Sequence, residues 1–333
     1  MKITHTMPEP DFSGNEIATV QVGDTDFHNV TMEESVRIIV EMATSGEKGQ
    51  YVCTGNLDHL LLLESNELFR TIYANADLVV ADGMPVVWLS RLNNESPLKE
   101  RVAGSDLFWH LAEASAREGL KLFFLGGVPG SAQRAADEVV RRYPGAKICG
   151  IYCPPHKTFF DPEEQARIEA RIREANPDVL LVGLGAPKQE TWIYNNCHRL
   201  RVPVSIGVGG TFELASGVVR RAPKWAQKSG VEWLFRLAQD PQRLWRRYLV
   251  GDLPFLVRLT LRTLRTGRPR HSGKSGGSNS KARGPQPPTP AARVIATPAD
   301  SWRDASVTQE PIATATGNPF DSQKPSSMNS LAR

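Results

Sequence analysis

Short apolar runs alternate with helix-forming segments from about residue 16 to residue 217 of this 333-residue chain. The clearest run, 179–183, is continuously hydrophobic, as strands are when both faces of a parallel sheet are covered. Such alternation favours an α/β fold with a mostly parallel sheet, right-handed crossovers and helices on both faces. Predicted strands cover 17–22, 50–54, 78–81, 121–125, 146–152, 179–182 and 204–208, and predicted helices cover 31–43, 56–75, 105–118, 131–142, 162–176 and 188–197. Thr31 and Glu34 form a capping-box pattern at the start of the first helix, and Ser105 is expected to cap the third.

Composition divides the chain into four parts. Residues 1–15 are expected to form a flexible leader, and 16–217 hold the α/β domain, which is Rossmann-like in its order of strands and helices. A short helical appendage rich in Arg and Trp is expected at 218–266. From 267 to 333 Ser, Thr, Pro, Gly, Ala and charged residues dominate. Because such a segment buries too little apolar surface to fold, a disordered tail is expected there.

Charge and composition indicate the compartment of the protein and the kind of partner that it binds. The chain has no uncharged apolar run of 18 residues and no apolar core of a secretory signal near its N-terminus, which predicts a cytoplasmic protein. Its four cysteines are too scattered for a disulfide framework or a metal site. Thirteen Lys or Arg residues stand between 220 and 270 against three acidic residues. This asymmetry indicates an anionic partner, either a membrane surface or nucleic acid.

Polar residues follow two predicted strands at the edge where ligands of open α/β sheets bind. Thr54 and Asn56 flank a glycine and are suited to binding sugar hydroxyls or phosphate oxygens, although capping of the next helix explains them as well. Asp82 ends another strand beside Gly83. An aspartate in that position is usually a turn former, but at this edge it can act as a general base if burial raises its pKa.

Glycine-rich turns end three further strands. Gly126 and Gly127 precede a helix and resemble a phosphate-cradling turn, while Gly209 and Gly210 would let the backbone approach a nucleotide. Gln189 lies in a polar cluster that opens the helix after the run 179–183. The turn at Gly126 and Gly127 is not a P-loop, and the acidic residue of a dinucleotide fingerprint is missing from the strand that follows it. A purely structural glycine turn therefore stays an alternative there.

The basic C-terminal segment has two interpretations of equal weight. Three of its arginines are spaced to share one face of a helix whose other positions are largely apolar, which favours a helix lying on anionic lipid. A helix that packs against the domain with a solvated arginine face explains the pattern equally well. The three are Arg258, Arg262 and Arg265, and the same interpretations extend to the preceding Arg243, Arg246 and Arg247.

Eight short blocks, taken together, are more specific than any single motif. They are TGN at 54–56, ADG at 81–83, RVAGSD at 101–106, FLGG at 124–127, GLGAPKQE at 183–190, GVGGTF at 207–212, RAPKW at 221–225 and EWLFRL at 232–237. In order and spacing, from about residue 20 to residue 265, they resemble the WecG/TagA/CpsF glycosyltransferases, glycosyltransferase family 26.

The resemblance implies an inverting, metal-independent transfer. Such enzymes move a hexose from a UDP-sugar to a polyprenyl-diphosphate-linked saccharide in cell-surface polysaccharide or exopolysaccharide synthesis, as peripheral proteins on the inner face of the cell membrane. Position by position, Asp82 becomes the general base. Thr54, Asn56, Arg101 and Gln189 become donor ligands.

The same resemblance implies that the basic appendage, with Arg220, Arg221 and the arginines at 243–247, closes over the site and contacts the membrane. No cofactor, metal ion or nucleic acid is expected, and homo-oligomerisation stays open. N-acetylmannosamine, its uronic acid and glucose all fit as the transferred sugar.

Two other classes of function stay open. One is a nucleotide-dependent oxidoreductase on the same sheet, and the other is a non-catalytic membrane-binding module.

Overall fold

The central element of the computed structural model, which describes residues 17–93 and 95–266, is a parallel sheet of six strands. Its strand order is β4-β3-β8-β7-β5-β6, and every neighbouring pair is parallel. The predicted Rossmann-like α/β fold is confirmed. The strands are β1 Thr19–Val22, β2 Thr25–His28, β3 Gln50–Gly55, β4 Leu78–Ala81, β5 Lys121–Gly126, β6 Lys147–Tyr152, β7 Val179–Gly183 and β8 Val204–Gly207.

Helices connect the strands and continue beyond the last one. Those of the α/β domain are α1 Met32–Thr44, α2 Leu57–Ser65, α3 Glu67–Ala74, α4 Met84–Asn93, α5 Gly104–Glu118, α6 Ser131–Arg142, α7 Pro162–Ala175, α8 Lys188–Leu200 and α9 Thr211–Ala215. The appendage contains α10 Lys224–Lys228, α11 Glu232–Gln239, α12 Pro241–Trp245, a π-helical segment Arg246–Asp252 and α13 Leu253–Thr266.

Side chains of successive strand residues enter two separate cores, because the strand repeat is two residues. In β3, Tyr51 and Cys53 pack into the core that holds α2, α3 and α8. Val52, between them, packs into the core that holds α1, α5 and α6. The sheet is thus covered by helices on both faces, as the continuous apolar runs predicted.

Four local features differ from the expectations. The first strand pairs with β2 in an antiparallel hairpin outside the main sheet, and α4 was not predicted. Asn66 divides the predicted helix 56–75 in two by ending α2 and capping α3. The prediction that Ser105 caps a helix is wrong, because α5 already begins at Gly104 and has no side-chain cap. The hydroxyl of Ser105 instead accepts a hydrogen bond from a distant arginine.

The appendage packs onto the α/β domain. Phe255 and Leu259 of α13 are buried in the same core as α2 and α3. Among the described residues, no helix is both long and apolar enough to cross a membrane. The expected leader and the expected disordered tail lie outside the described residues.

Candidate active site

The carboxyl ends of five neighbouring strands form one rim of the sheet. Backbone hydrogen bonds extend the strand pairing past the strand ends. The amide of Asp82 donates to Gly55 O at 2.8 Å, and the amide of Val208 donates to Val182 O at 2.9 Å. Because parallel strands end at the same edge, residues far apart in sequence meet on this rim.

Asp82 lies on the rim at the end of β4, partly buried and beside the start of α5. Its Oδ1 accepts a hydrogen bond from the Gly104 amide at 3.1 Å. Burial raises the pKa of Asp82 to about 6. Arg101 opposes this rise, and Glu232 adds to it. The hydrogen bond from the Gly104 amide and the positive charge of Arg236 also act to lower the pKa, as Arg101 does. A carboxylate in this range is ionised at neutral pH and still basic enough to accept a proton.

Arg101 connects the rim to the appendage through a chain of alternating charges. Its Nη1 donates to Glu232 Oε2 at 2.9 Å, and its Nη2 donates to Asp106 Oδ2 at 3.2 Å. Arg221 Nη2 lies 2.6 Å from Asp106 Oδ1 and donates to Ser105 Oγ at 3.2 Å. Two appendage residues, Glu232 and Arg221, therefore bind charged residues of the rim, and the charge of Glu232 also acts on Asp82.

Arg220 occupies a different environment from Arg221. Its side chain is exposed, and its backbone N–H and C=O pair with the side-chain amide of Gln239. The structure brings Arg221 into the charged cluster but leaves Arg220 at the surface.

Thr54 and Asn56 have distinct surroundings at the end of β3. Thr54 is 4% exposed, and its hydroxyl donates to Gly207 O at 3.1 Å, which joins β3 to β8 below the rim. Asn56 caps α2, since its Oδ1 accepts from the His59 amide at 3.2 Å. Asn56 is partly exposed and close to Gly83. Its amide nitrogen faces no acceptor among the described residues, so this nitrogen is the group of the pair that is available to a ligand.

Gln189 joins two glycine turns of the rim. Its Oε1 accepts from the Gly185 amide at 3.2 Å and from the Gly209 amide at 2.9 Å. The side chain is 3% exposed and packs where a Cβ on Gly207 would collide with it. The structure thus places Gln189 behind the surface of the rim, where it sets the position of backbone that a ligand can reach.

The amides of the turn at Gly126 and Gly127 are engaged by protein acceptors. The Gly127 amide donates to Gly183 O at 2.8 Å, and the Val128 amide donates to Glu213 Oε1 at 2.7 Å. A phosphate at this turn would have to replace Glu213.

The turn at Gly209 and Gly210 borders open space. A Cβ built at Gly209 meets no atom within 4 Å, and one at Gly210 meets only Glu213 Oε2, at 3.6 Å. Of the two predicted glycine turns, this one has backbone that a ligand can approach.

The basic C-terminal helix has two faces. Phe255 and Leu259 are buried against the domain, whereas an apolar stripe on the opposite side, with the three members Val257, Leu261 and Leu264, is 47–57% exposed. Two members of this stripe, Val257 and Leu261, line an open groove of about 690 Å³ together with Leu253, Pro254, Arg258, Arg262 and Arg265. One face of α13 thus packs against the domain, and the other is exposed and apolar.

Three of the arginines in this region meet acidic residues of the domain. Arg247 lies 2.9 Å from Asp58, Arg258 pairs with Glu64, and Arg262 lies 3.1 Å from Asp24. Arg246 stacks over Trp245. Arg265 lines the groove, and the side chain of Arg243 is outside the described part of the structure.

Several residues of the site were not singled out from the sequence. Glu232, Arg236 and Asp106 modulate or hold the rim, and Glu213 closes one of its turns. The four-residue spacing of Glu232 and Arg236 on one helix was a usable signal. Within the described ranges, no group of three His, Cys, Asp or Glu side chains is arranged to hold a metal ion.

Comparison with known proteins identifies the family of this chain. A family model described as Glycosyl transferase WecG/TagA/CpsF family matches residues 20–269. A protein of Bacillus spizizenii (strain ATCC 23059 / NRRL B-14472 / W23), named N-acetylglucosaminyldiphosphoundecaprenol N-acetyl-beta-D-mannosaminyltransferase, is 29% identical over 257 residues, or 77% of this chain and 96% of the relative. A Bacillus subtilis (strain 168) protein of the same name is 34% identical over 203 residues, or 60% of this chain and 75% of the relative. With the family match covering most of its length, the chain belongs to the WecG/TagA/CpsF family of glycosyltransferases.

Proposed function

We propose that this glycosyltransferase transfers an N-acetyl-β-D-mannosaminyl group from a UDP-sugar to N-acetylglucosaminyl-diphosphoundecaprenol. The names of the two Bacillus relatives support this choice of sugar and acceptor. The observation that carries the proposal is the carboxylate of Asp82, which lies on the ligand-binding edge of the sheet with a pKa raised to about 6 by burial. The oxidoreductase and the non-catalytic module are set aside because the chain belongs to a glycosyltransferase family.

Asp82 acts as the general base of a single displacement. It accepts the proton of the acceptor hydroxyl while that oxygen attacks the anomeric carbon of the donor. The bond from the anomeric carbon to the diphosphate oxygen breaks, UDP leaves, and the configuration at carbon 1 inverts. The Gly104 amide, which donates to Asp82 Oδ1, orients the carboxylate and leaves Oδ2 to take the proton.

Positive side chains on the rim stabilise the charge that develops on the leaving diphosphate. Arg101 and Arg221 already bind carboxylates there, and a diphosphate presents the same kind of acceptor to a guanidinium fork. Arg236 adds to the positive potential near Asp82. Asn56 and the open turn at Gly209 contact the donor, and Gln189 with Thr54 holds the backbone of that pocket in place.

We infer that the exposed face of α13 binds the membrane surface where such an acceptor resides. A stripe of exposed Val and Leu flanked by arginines suits partial insertion into the boundary between lipid headgroups and acyl chains. In this arrangement the appendage joins the membrane face to the rim, because Glu232 of the same appendage contacts Arg101.

A screen of UDP release tests the proposed reaction. The full chain is assayed with UDP-N-acetylmannosamine, its uronic acid, UDP-glucose and UDP-N-acetylglucosamine, each with a short-chain lipid-diphosphate N-acetylglucosamine acceptor. The expected result is acceptor-dependent UDP release that is fastest with UDP-N-acetylmannosamine and lost in Asp82→Asn. Preference for another donor overturns the proposed sugar. Equal turnover by Asp82→Asn overturns the assignment of the base.

A further inference from the structure

A buried acidic residue next to Gln189 has no role in the proposed reaction. Glu190 is 2% exposed and lies on the inner side of α8. Its Oε1 accepts a hydrogen bond from Gln189 Nε2 at 2.7 Å, while its Oε2 is buried without a hydrogen-bond partner. Burying a carboxyl group this deeply, with one oxygen unpaired, costs folding free energy. Such a group therefore calls for an explanation in the interaction that it does make.

The surroundings of Glu190 leave Gln189 as its principal partner. The nearest cation-forming side chain, His59, has its Nε2 4.0 Å from Glu190 Oε1, which is beyond hydrogen-bond range. His59 Nδ1 pairs instead with the hydroxyl of Tyr73 at 2.5 Å, and burial lowers the pKa of His59 to about 3. No positive charge therefore compensates Glu190 from that side.

Glu190 and the two glycine turns bind opposite ends of the Gln189 side-chain amide. With Nε2 bound by Glu190, Oε1 is turned toward the amides of Gly185 and Gly209. These two glycines belong to the turns after β7 and β8, and both have positive φ angles, +75° and +53°. A Cβ at either would meet nothing within 4 Å, so both turns border open space on the rim.

We propose that Glu190 is a positioning residue for the donor site: through Gln189 it clamps the Gly185 and Gly209 turns in the spacing that the nucleotide-sugar requires. This inference rests on the proposed function, in that the rim is taken to bind the donor. The effect of Glu190 depends on the reach of its side chain rather than on its negative charge. Burial raises the pKa of Glu190 to about 7, so an uncharged side chain of equal length is a close substitute.

Two conservative variants separate reach from charge. Glu190→Gln keeps the length and the acceptor oxygen, whereas Glu190→Asp keeps the carboxyl group but is too short to hold Gln189. The expected donor KM is within about threefold of wild type for Glu190→Gln and raised about tenfold for Glu190→Asp, the effect of one lost buried hydrogen bond. The kcat of both stays within about threefold, because Asp82 is held from β4 and α5 instead.

A control and a double-mutant cycle distinguish positioning from stability. Glu164 is equally buried, at 2% exposed, and Glu164→Gln is expected to change the melting temperature without changing donor KM. In a Gln189→Ala background, Glu190→Asp is expected to add nothing to donor KM. Additive effects, or an unchanged KM in a folded Glu190→Asp, overturn the proposal.

Two further measurements keep the test decisive. If Glu190→Asp does not fold, Glu190→Gln carries the test alone: a tenfold higher donor KM at wild-type melting temperature overturns the proposal, and a wild-type KM supports it. UDP affinity by calorimetry gives the same comparison without turnover. Failure of the wild type to transfer any sugar therefore counts against the proposed function, and only the comparison of variants counts against the role of Glu190.

Discussion

Arg101 Nη1 and Glu232 Oε2 lie 2.9 Å apart and join the rim of the sheet to a helix 131 residues further along the chain. Both residues also act on Asp82, in opposite directions: the guanidinium lowers the pKa of Asp82 and the carboxylate raises it. The appendage is therefore part of the electrostatic environment of the proposed base.

Replacement of Asp82 by Asn is expected to lower kcat about 10²–10⁴-fold, the usual contribution of a general base. The side chain keeps its size, so the fold and donor affinity are expected to persist. UDP release with acceptor measures the loss. Asp137→Asn on the exposed surface of α6 is the matched control and should be as active as wild type. An inactive control would point to a general effect on folding.

The value of kcat/KM is expected to rise as the pH increases through about 6. Asp82 accepts a proton only when it is ionised, and its pKa is raised to about 6. Arg101→Met removes a cation and should move this acidic limb to higher pH. Glu232→Gln removes an anion and should move it to lower pH. Rates measured from pH 4.5 to 8.5 check the two directions. Shifts in the same direction would contradict the assignment of the limb to Asp82.

Loss of the exposed apolar stripe of α13 is expected to weaken membrane binding. Triple replacement of Val257, Leu261 and Leu264 by Ser removes apolar side chains that do not pack against the domain, so binding should fall at least tenfold with little effect on stability. Cosedimentation with vesicles of anionic phospholipid measures the change. Val140→Ser, at an exposed apolar site on α6, is the control. Retention of full vesicle binding by the triple variant would exclude this face.

Two glycine turns of the rim are expected to differ in their tolerance of a side chain. Gly126 has φ +99°, and a Cβ there would lie 2.5 Å from Gly183 O, so Gly126→Ala should lower the free energy of unfolding by about 3 kcal/mol or more. Gly185 has φ +75° but open space around it, so Gly185→Ala should cost only about 1–2 kcal/mol, for the left-handed backbone alone. Urea denaturation measures both. Equal losses would show that backbone conformation, rather than the collision, dominates.

Local patterns predicted most of the fold, because each depends on neighbours in sequence. The apolar run at 179–183 became β7, and the capping box of Thr31 and Glu34 starts α1. The β1–β2 hairpin and α4 were missed, since short segments owe their conformation largely to the surfaces that they pack against. For the same reason Ser105 was assigned a capping role although its hydroxyl meets Arg221.

The sequence by itself determined the parallel sheet, the rim on which Asp82, Asn56 and the glycine turns lie, and the family. Continuous apolar runs and the shared direction of parallel strands suffice for the sheet and its rim, and the eight short blocks carry the resemblance to the family. Only the tertiary structure decided what surrounds those residues. Glu232 on Arg101, Glu190 behind Gln189 and the burial of Asp82 all depend on distances through space between residues far apart in the chain. Hydrogen bonds and pKa shifts depend on those distances, and no local pattern contains them.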